Sequence, residues 1–239
     1  MFHKIAILTF WLLIWELVNR IVDNSVLMAG PIATMGALFS MAQTMSFYAS
    51  ILGSLGRVFA GFSLAFFVGI LMASFSSFRP FYMLIVPLCN VIKSIPVASF
   101  VIIALIWVGS QNLAVFVSFI TVFPIVFFNA YNGIKSTDAE LLEMADFFQV
   151  GLIKKIRYVY YRAVLPHLVS AVATGFGFAW KSGIAAELIG LTRESIGFHL
   201  HTARVFLMTA ELFAWTLTVV VLSYLIERVF MLIFRGVED

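Results

Sequence analysis

From Phe47 to Phe75 the chain runs for 29 residues with one charge, Arg57. Coiled as a helix, this stretch is about 43 Å long, more than the roughly 30 Å hydrocarbon core of a bilayer. A segment of that length, apolar on every face, belongs in lipid. Five further apolar runs flank it: Ile5 to Ile21, Phe81 to Val108, Leu113 to Tyr131, Ala163 to Ile189 and Ala210 to Phe234. Six runs in 239 residues account for a composition that is 62% hydrophobic and 11% charged. Soluble domains hold roughly 45–50% apolar and about 25% charged residues. The expectation is an all-α membrane protein of six transmembrane helices, with no room for a soluble ATPase domain. The first run lacks a small-residue cleavage site and is expected to be a retained helix. A lone cysteine, Cys89, excludes an intrachain disulfide and a cysteine metal cluster.

Proline and glycine punctuate the runs. Pro87 and Pro96 lie within the third, where a missing N–H and a steric clash predict a broken helix. Gly109 to Asn112 reads as the turn that follows. Between Ala29 and Gln43, Gly30-Pro31 opens a shorter amphipathic stretch expected at a surface. The net charge of +3 reports topology, not nucleic-acid binding. With a cytoplasmic N-terminus, Lys4, Arg79, Lys135, Lys154, Lys155, Arg157, Arg162, Arg228 and Arg235 fall inside, and Arg20, Arg193 and Arg204 outside. This positive-inside bias places both termini in the cytoplasm.

Residues 135–162 form the largest polar segment. Thr137-Asp138-Ala139-Glu140 has the S/T-x-x-E spacing of a capping box, with Thr137 as the cap. Leu141, Leu142, Ala145 and Phe148 then share one helical face. A short capped helix of this kind suits docking in a groove on a partner, and it equally suits packing on the bundle or lying at the lipid interface.

Here the residues resemble a family. Leu142-Glu143-Met144-Ala145, the basic-aromatic stretch after it, and Val164-Leu165-Pro166 are similar to the EAA loop of binding-protein-dependent ABC importer permeases. Met144 replaces the first alanine, Gln149 stands where that pattern has glycine, and Arg162 where it has a first proline. Six other pieces follow in order. Leu27 to Thr34 resembles the L-P-S-P-x-x-T segment of the nitrate/sulfonate/taurine branch. Ser54-Leu55 with Arg57, Gly61 and Phe62 resembles S-L-x-R-x-x-x-G-F. Ser94-Ile95-Pro96-Val97-Ala98 and Trp107-Val108-Gly109 resemble I-P-x-x-A and W-F-G. Phe123-Pro124 with Asn129 and Gly133-Ile134 fits as well, as does Trp180 with Ala185-Ala186-Glu187. The resemblance covers Leu27 to Phe230.

It implies a type I importer permease fold in the cell (inner) membrane: one domain over residues 1–239, with a core at 47–234 and a coupling segment at 135–162. It also implies a second permease subunit, expected to be another copy of this chain, two cytoplasmic ATPases that bind ATP and Mg, and an extracytoplasmic binding protein. ATPase coupling would fall to Glu140, Leu141, Leu142, Glu143, Met144, Ala145, Phe148 and Gln149. This chain has no G-x-x-x-x-G-K-[ST] loop, so it is expected to bind no nucleotide or other cofactor and to hydrolyse nothing itself.

Charges within the runs need partners or water, since one at mid-bilayer costs roughly 2.5–3.5 kcal/mol to insert. Lys181 and Glu187, six apart, point to different sides of a helix. Lys181 fits two roles, attraction of an anionic solute or a salt bridge to a neighbouring helix, and Arg57 is placed to snorkel. Lys93, Ser94, Pro96, Ser99, Asn129, Lys181 and Glu187 are the candidate pathway residues, although the polar ones equally suit bonding to backbone groups freed at bends. His199 and His201, two apart without a further donor nearby, do not converge on a metal. Two rival classes stand beside the importer. An intramembrane enzyme would need histidines near the carboxylates Asp138, Glu140, Glu143 and Asp146, and an ion-coupled carrier would need paired mid-membrane acids. The branch resemblance, with the lysines inside the apolar runs, implies a sulfonate-like or other organic anion as the solute. A thiamine-precursor pyrimidine or similar vitamin-like heterocycle is the alternative within the same importer type.

Overall fold

A computed structural model describes residues 2–235; side chains at 2–5, 8, 231 and 233–235 lie outside that description, and with them Lys4 and Arg235 of the charge count. The described residues form α1 (Phe2–Val22), α2 (Pro31–Ala42), α3 (Met45–Phe75), α4 (Arg79–Ser94), α5 (Val97–Lys135) and α6 (Ala139–Phe147). They continue through α7 (Leu152–Lys155), a π-helical turn (Ile156–Tyr160), α8 (Tyr161–Gly190), α9 (Ile196–Val205) and α10 (Thr209–Arg235).

Four stretches are long and apolar enough to cross a membrane: Met45–Phe75, Val97–Lys135, Leu152–Gly190 and Thr209–Phe230. Of the other two expected crossings, the first run lies in α1, a 21-residue helix whose side chains at 2–5 and 8 are outside the description. The third run is divided between α4, only 16 residues long, and the start of α5. Ile95 is extended, at φ −78° and ψ 127°, as a residue before proline prefers. Pro96 then caps the next helical segment, accepting from the Ser99 and Phe100 amides at 3.1 and 3.2 Å. The expected break therefore falls at Ile95-Pro96, and the helix continues through Pro87.

The turn expected over Gly109 to Asn112 contracts to one residue. Gly109 has φ 70° and ψ 168°, a region essentially reserved for glycine. The chain reverses there, which brings the Phe100 and Phe116 rings to 5.9 Å. In a straight helix those residues would be about 24 Å apart. Val97–Val108 therefore folds back on the rest of α5, and Val101 and Ala104 bury against Leu113, Ala114 and Val117.

The main core lies where α3, the long arm of α5 and α8 meet. Val58, Phe62 and Ala65 pack with Val122, Val126 and Phe127 and with Phe176, Ala179 and Trp180. Lipid is as apolar as these side chains, so close backbone approach and interhelical hydrogen bonds must hold the helices together. A Cβ on Gly61 would stand 2.3 Å from the Val115 carbonyl oxygen, and one on Gly183 would stand 2.5 Å from Val58 Cγ2. Ser118 Oγ donates to the Ala179 carbonyl at 3.2 Å, and Trp180 Nε1 donates to Val219 on α10 at 3.1 Å. The amphipathic stretch at Ala29–Gln43 is α2. It buries Thr34 and leaves Ile32 exposed, and so is half embedded and half at the surface.

Candidate functional site

Three places carry chemistry: the α6 surface, a knot of buried polar groups, and a cleft with a lysine in its wall.

The first turn of α6 is capped by Asp138, whose carboxylate accepts from the Glu140 amide at 2.8 Å. This corrects the capping-box expectation. The Thr137 hydroxyl donates back to Gly133 at 3.5 Å, so the cap sits one residue later, on the stronger acceptor. At the other end, the Gln149 amide donates to Asp146 at 3.0 Å and the Val150 amide to Ala145 at 2.8 Å. These two bonds make a Schellman closure. It requires a left-handed residue, and Gln149 supplies it at φ 53°, where the family pattern has glycine. Asp146 also pairs with Lys155.

Of the shared face, Ala145 is buried, Leu142 half-buried, and Leu141 and Phe148 are exposed. Glu140, Glu143 and Gln149 are exposed too, as are Met144 and Phe147. Leu141, Met144, Ala145 and Phe148 line a groove with Tyr158 and Val159. This helix is pinned at both ends and presents apolar side chains outward.

The knot joins α3, α8 and α9. Glu187 is wholly buried. Its Oε1 accepts from Arg57 Nη1 at 3.0 Å, and its Oε2 accepts from Ser54 Oγ at 2.6 Å and the Gly197 amide at 3.4 Å. Ser54 Oγ in turn accepts from the Ile196 amide at 2.9 Å. Arg57 also donates to the Arg193 carbonyl at 3.1 Å. The first amides of α9, orphaned like those of any helix start, are thus met by a hydroxyl and a carboxylate from other elements, an arrangement the helix dipole favours. Arg57 turns inward instead of snorkelling, and Glu187 pairs with another helix and not with Lys181, as charges in apolar runs require. Opposite charges in two separate apolar runs were the available signal, but nothing in sequence tied residues 130 apart.

Beside the knot, His199 stacks on Trp215, with centroids 4.8 Å apart, and its Nε2 lies 3.0 Å from Ser50 Oγ. Burial holds its imidazole below the usual range.

The cleft, about 680 Å³, lies between the end of α4, both arms of α5, and α8. Lys93 lines it, with Nζ 4.6 Å from the centre of the Phe128 ring. Thr174 and Phe178 line it from α8. Lys181, one further turn along, continues their exposed face at i, i+4, i+7. Among the described residues neither Lys93 nor Lys181 has a carboxylate within ion-pair distance. Lys181 and Glu187 do occupy different sides of α8, one exposed and one buried. Ser94 Oγ donates to Val91 at 2.8 Å and Asn129 Nδ2 to Ile125 at 2.8 Å, so both serve carbonyls of their own helices. Pro96 and Ser99 are exposed at the break beside the cleft.

A bundle of long apolar helices with one capped, outward-facing helix in its largest polar loop is the form of a membrane transport subunit. Residues 65–238 match the family described as binding-protein-dependent transport system inner membrane component, and the chain belongs to that family. It is a multi-pass inner-membrane protein, an ABC transporter permease.

Over 181 residues it is 29% identical to the putative aliphatic sulfonates transport permease protein SsuC of Bacillus subtilis (strain 168), covering 75% of this chain and 62% of that one. It is 24% identical over 142 residues to the taurine transport system permease protein TauC of Escherichia coli (strain K12), covering 59% and 51%. It is 28% identical over 154 residues to the bicarbonate transport system permease protein CmpB of Synechococcus elongatus, covering 64% and 55%. The matched region spans less than two thirds of each of these relatives.

Proposed function

We propose that this chain is the membrane-spanning subunit of an ATP-driven importer for a small anion. In this reading two copies pair around a pathway, both termini lie in the cytoplasm, and six crossings are completed by α1 and by α4 joined to Val97–Val108. An extracytoplasmic binding protein delivers the solute. Two ATPases dock on α6 and hydrolyse ATP with Mg, while this chain transmits the motion.

The observation that carries the proposal is α6. A helix fixed at both termini transmits force without fraying, and its exposed Leu141, Met144, Phe147 and Phe148 are apolar surface of the kind that partners cover. Glu140 and Glu143 add charge for register. Lys93 and Lys181, unpaired in the bundle, favour an anion, and Ser94, Pro96, Ser99 and Asn129 flank them along the pathway. Glu187 acts beside that pathway by holding α3, α8 and α9 together. The relatives are named for sulfonates, taurine and bicarbonate, all of which carry an anionic group, so a neutral pyrimidine is the weaker reading.

The test is a detergent pull-down of the tagged chain co-expressed with its neighbouring genes, with an ATPase assay on the eluate. Wild type should bring down an ATPase, and Glu143→Lys should lose it while the chain remains inserted. A wild-type chain that purifies folded and alone would overturn the reading.

A further inference from the structure

We propose that the Lys93 cleft is a ligand site carried by the permease itself, selective for amphiphilic monoanions: one anionic head on an apolar body. The inference rests on the anion-importer reading above and adds a selectivity that would otherwise belong to the binding protein alone. Lys93 projects from an apolar helix into this cleft, where a charge without a counter-charge is costly. Phe128 offers only a ring face, and no carboxylate among the described residues neutralises it.

The other walls include Phe100, Trp107, Phe116, Ile120 and Phe178. Thr121, the polar side chain beside Ile120, already donates to the Val117 carbonyl at 2.8 Å. One cation in a wall that is aromatic and aliphatic but for Thr121 and Thr174 complements a ligand with one negative end and a largely apolar remainder. A zwitterion would bring an ammonium into a wall with no carboxylate to receive it, and bicarbonate would leave the rings uncovered.

Hexanesulfonate is the probe, titrated against the full chain in phosphatidylcholine nanodiscs, with Trp107 in the cleft wall as the fluorescent reporter. Saturable binding is expected, with taurine and bicarbonate weaker by about tenfold or more and hexanol showing no saturation. Lys93→Gln should weaken hexanesulfonate by about tenfold, and Lys93→Arg by no more than about threefold. Ile120→Trp, which fills the cleft and keeps the lysine, should abolish binding even if Lys93→Gln fails to accumulate. Equal response to hexanol, or indifference to both the Lys93→Gln and Ile120→Trp changes, would overturn the proposal. So would loss of sulfonate binding in phosphatidylglycerol discs, which would assign the cleft to lipid headgroups. Binding is read without ATPase or binding protein, so its failure is distinct from failure of the pull-down.

Discussion

The knot and the cleft treat charge in opposite ways. In the knot, Glu187 has no exposed surface and its two oxygens accept from a guanidinium, a hydroxyl and a backbone amide. Lys93 in the cleft wall and Lys181, one turn beyond it on α8, are exposed without a counter-charge among the described residues. Both arrangements draw on α8, where Lys181 and Glu187 are under two turns apart. Helical phase sends one inward and the other outward. A satisfied buried pair fixes geometry and has nothing left to offer a ligand, whereas a cation without a counter-charge can recruit one.

The largest expected effect comes from breaking the knot. Glu187→Ala leaves Arg57 uncompensated, and losing one partner of a buried pair costs about 3–5 kcal/mol. Accumulation in the membrane and the melting temperature in detergent should both fall sharply. Arg57→Met combined with Glu187→Ala should recover much of the loss, because no charge then remains buried. A single variant that melts like wild type would mean that the pair holds nothing together.

Gly197→Ala tests the same knot by shape. Its Cβ would meet Glu187 Cβ and the Leu188 amide nitrogen, both at 2.4 Å, so the start of α9 must move. Overpacking of this kind costs about 1–3 kcal/mol. The melt should drop by less than for Glu187→Ala, and unchanged stability would show that α9 shifts freely.

Lys181→Ala should have the smallest effect on stability, within about 0.5 kcal/mol, as for exposed residues without partners. Solute uptake in whole cells should nevertheless fall. Loss of the protein instead of loss of uptake would place Lys181 in a structural ion pair and erase the contrast with Glu187.

Much of this frame was legible because it is local. The apolar runs at Phe47–Phe75 and Ala163–Ile189 became α3 and most of α8, and Pro96 broke its helix by the rule that restricts the residue before proline. The α6 segment was legible from Leu141 to Phe148, but its cap was not. Thr137 and Asp138 are adjacent capable caps, and only the path of the chain from α5 decides between them. The left-handed Gln149 was marked only by the glycine that the family pattern has at that position, since glutamine itself carries no signal for that conformation; the bonds on either side impose it. The knot was hidden for a different reason. Ser54-x-x-Arg57 and Ala185-Ala186-Glu187 stand in the sequence as separate marks of one family, yet they close on each other through a contact that no periodicity encodes. The cleft was half visible: Lys93 stood out as a charge in an apolar run, while its walls come from four segments brought together by the reversal at Gly109.

That reversal has a mechanical consequence. The arm Val97–Val108 is a rod pinned by Ile95-Pro96 at one end and Gly109 at the other, and neither joint continues a helical hydrogen-bond ladder. With no ladder at either joint, the arm is held by its side chains, Val101 and Ala104 against Leu113, Ala114 and Val117. The walls that Phe100 and Trp107 give the cleft therefore stand on a few small apolar contacts, not on backbone hydrogen bonds.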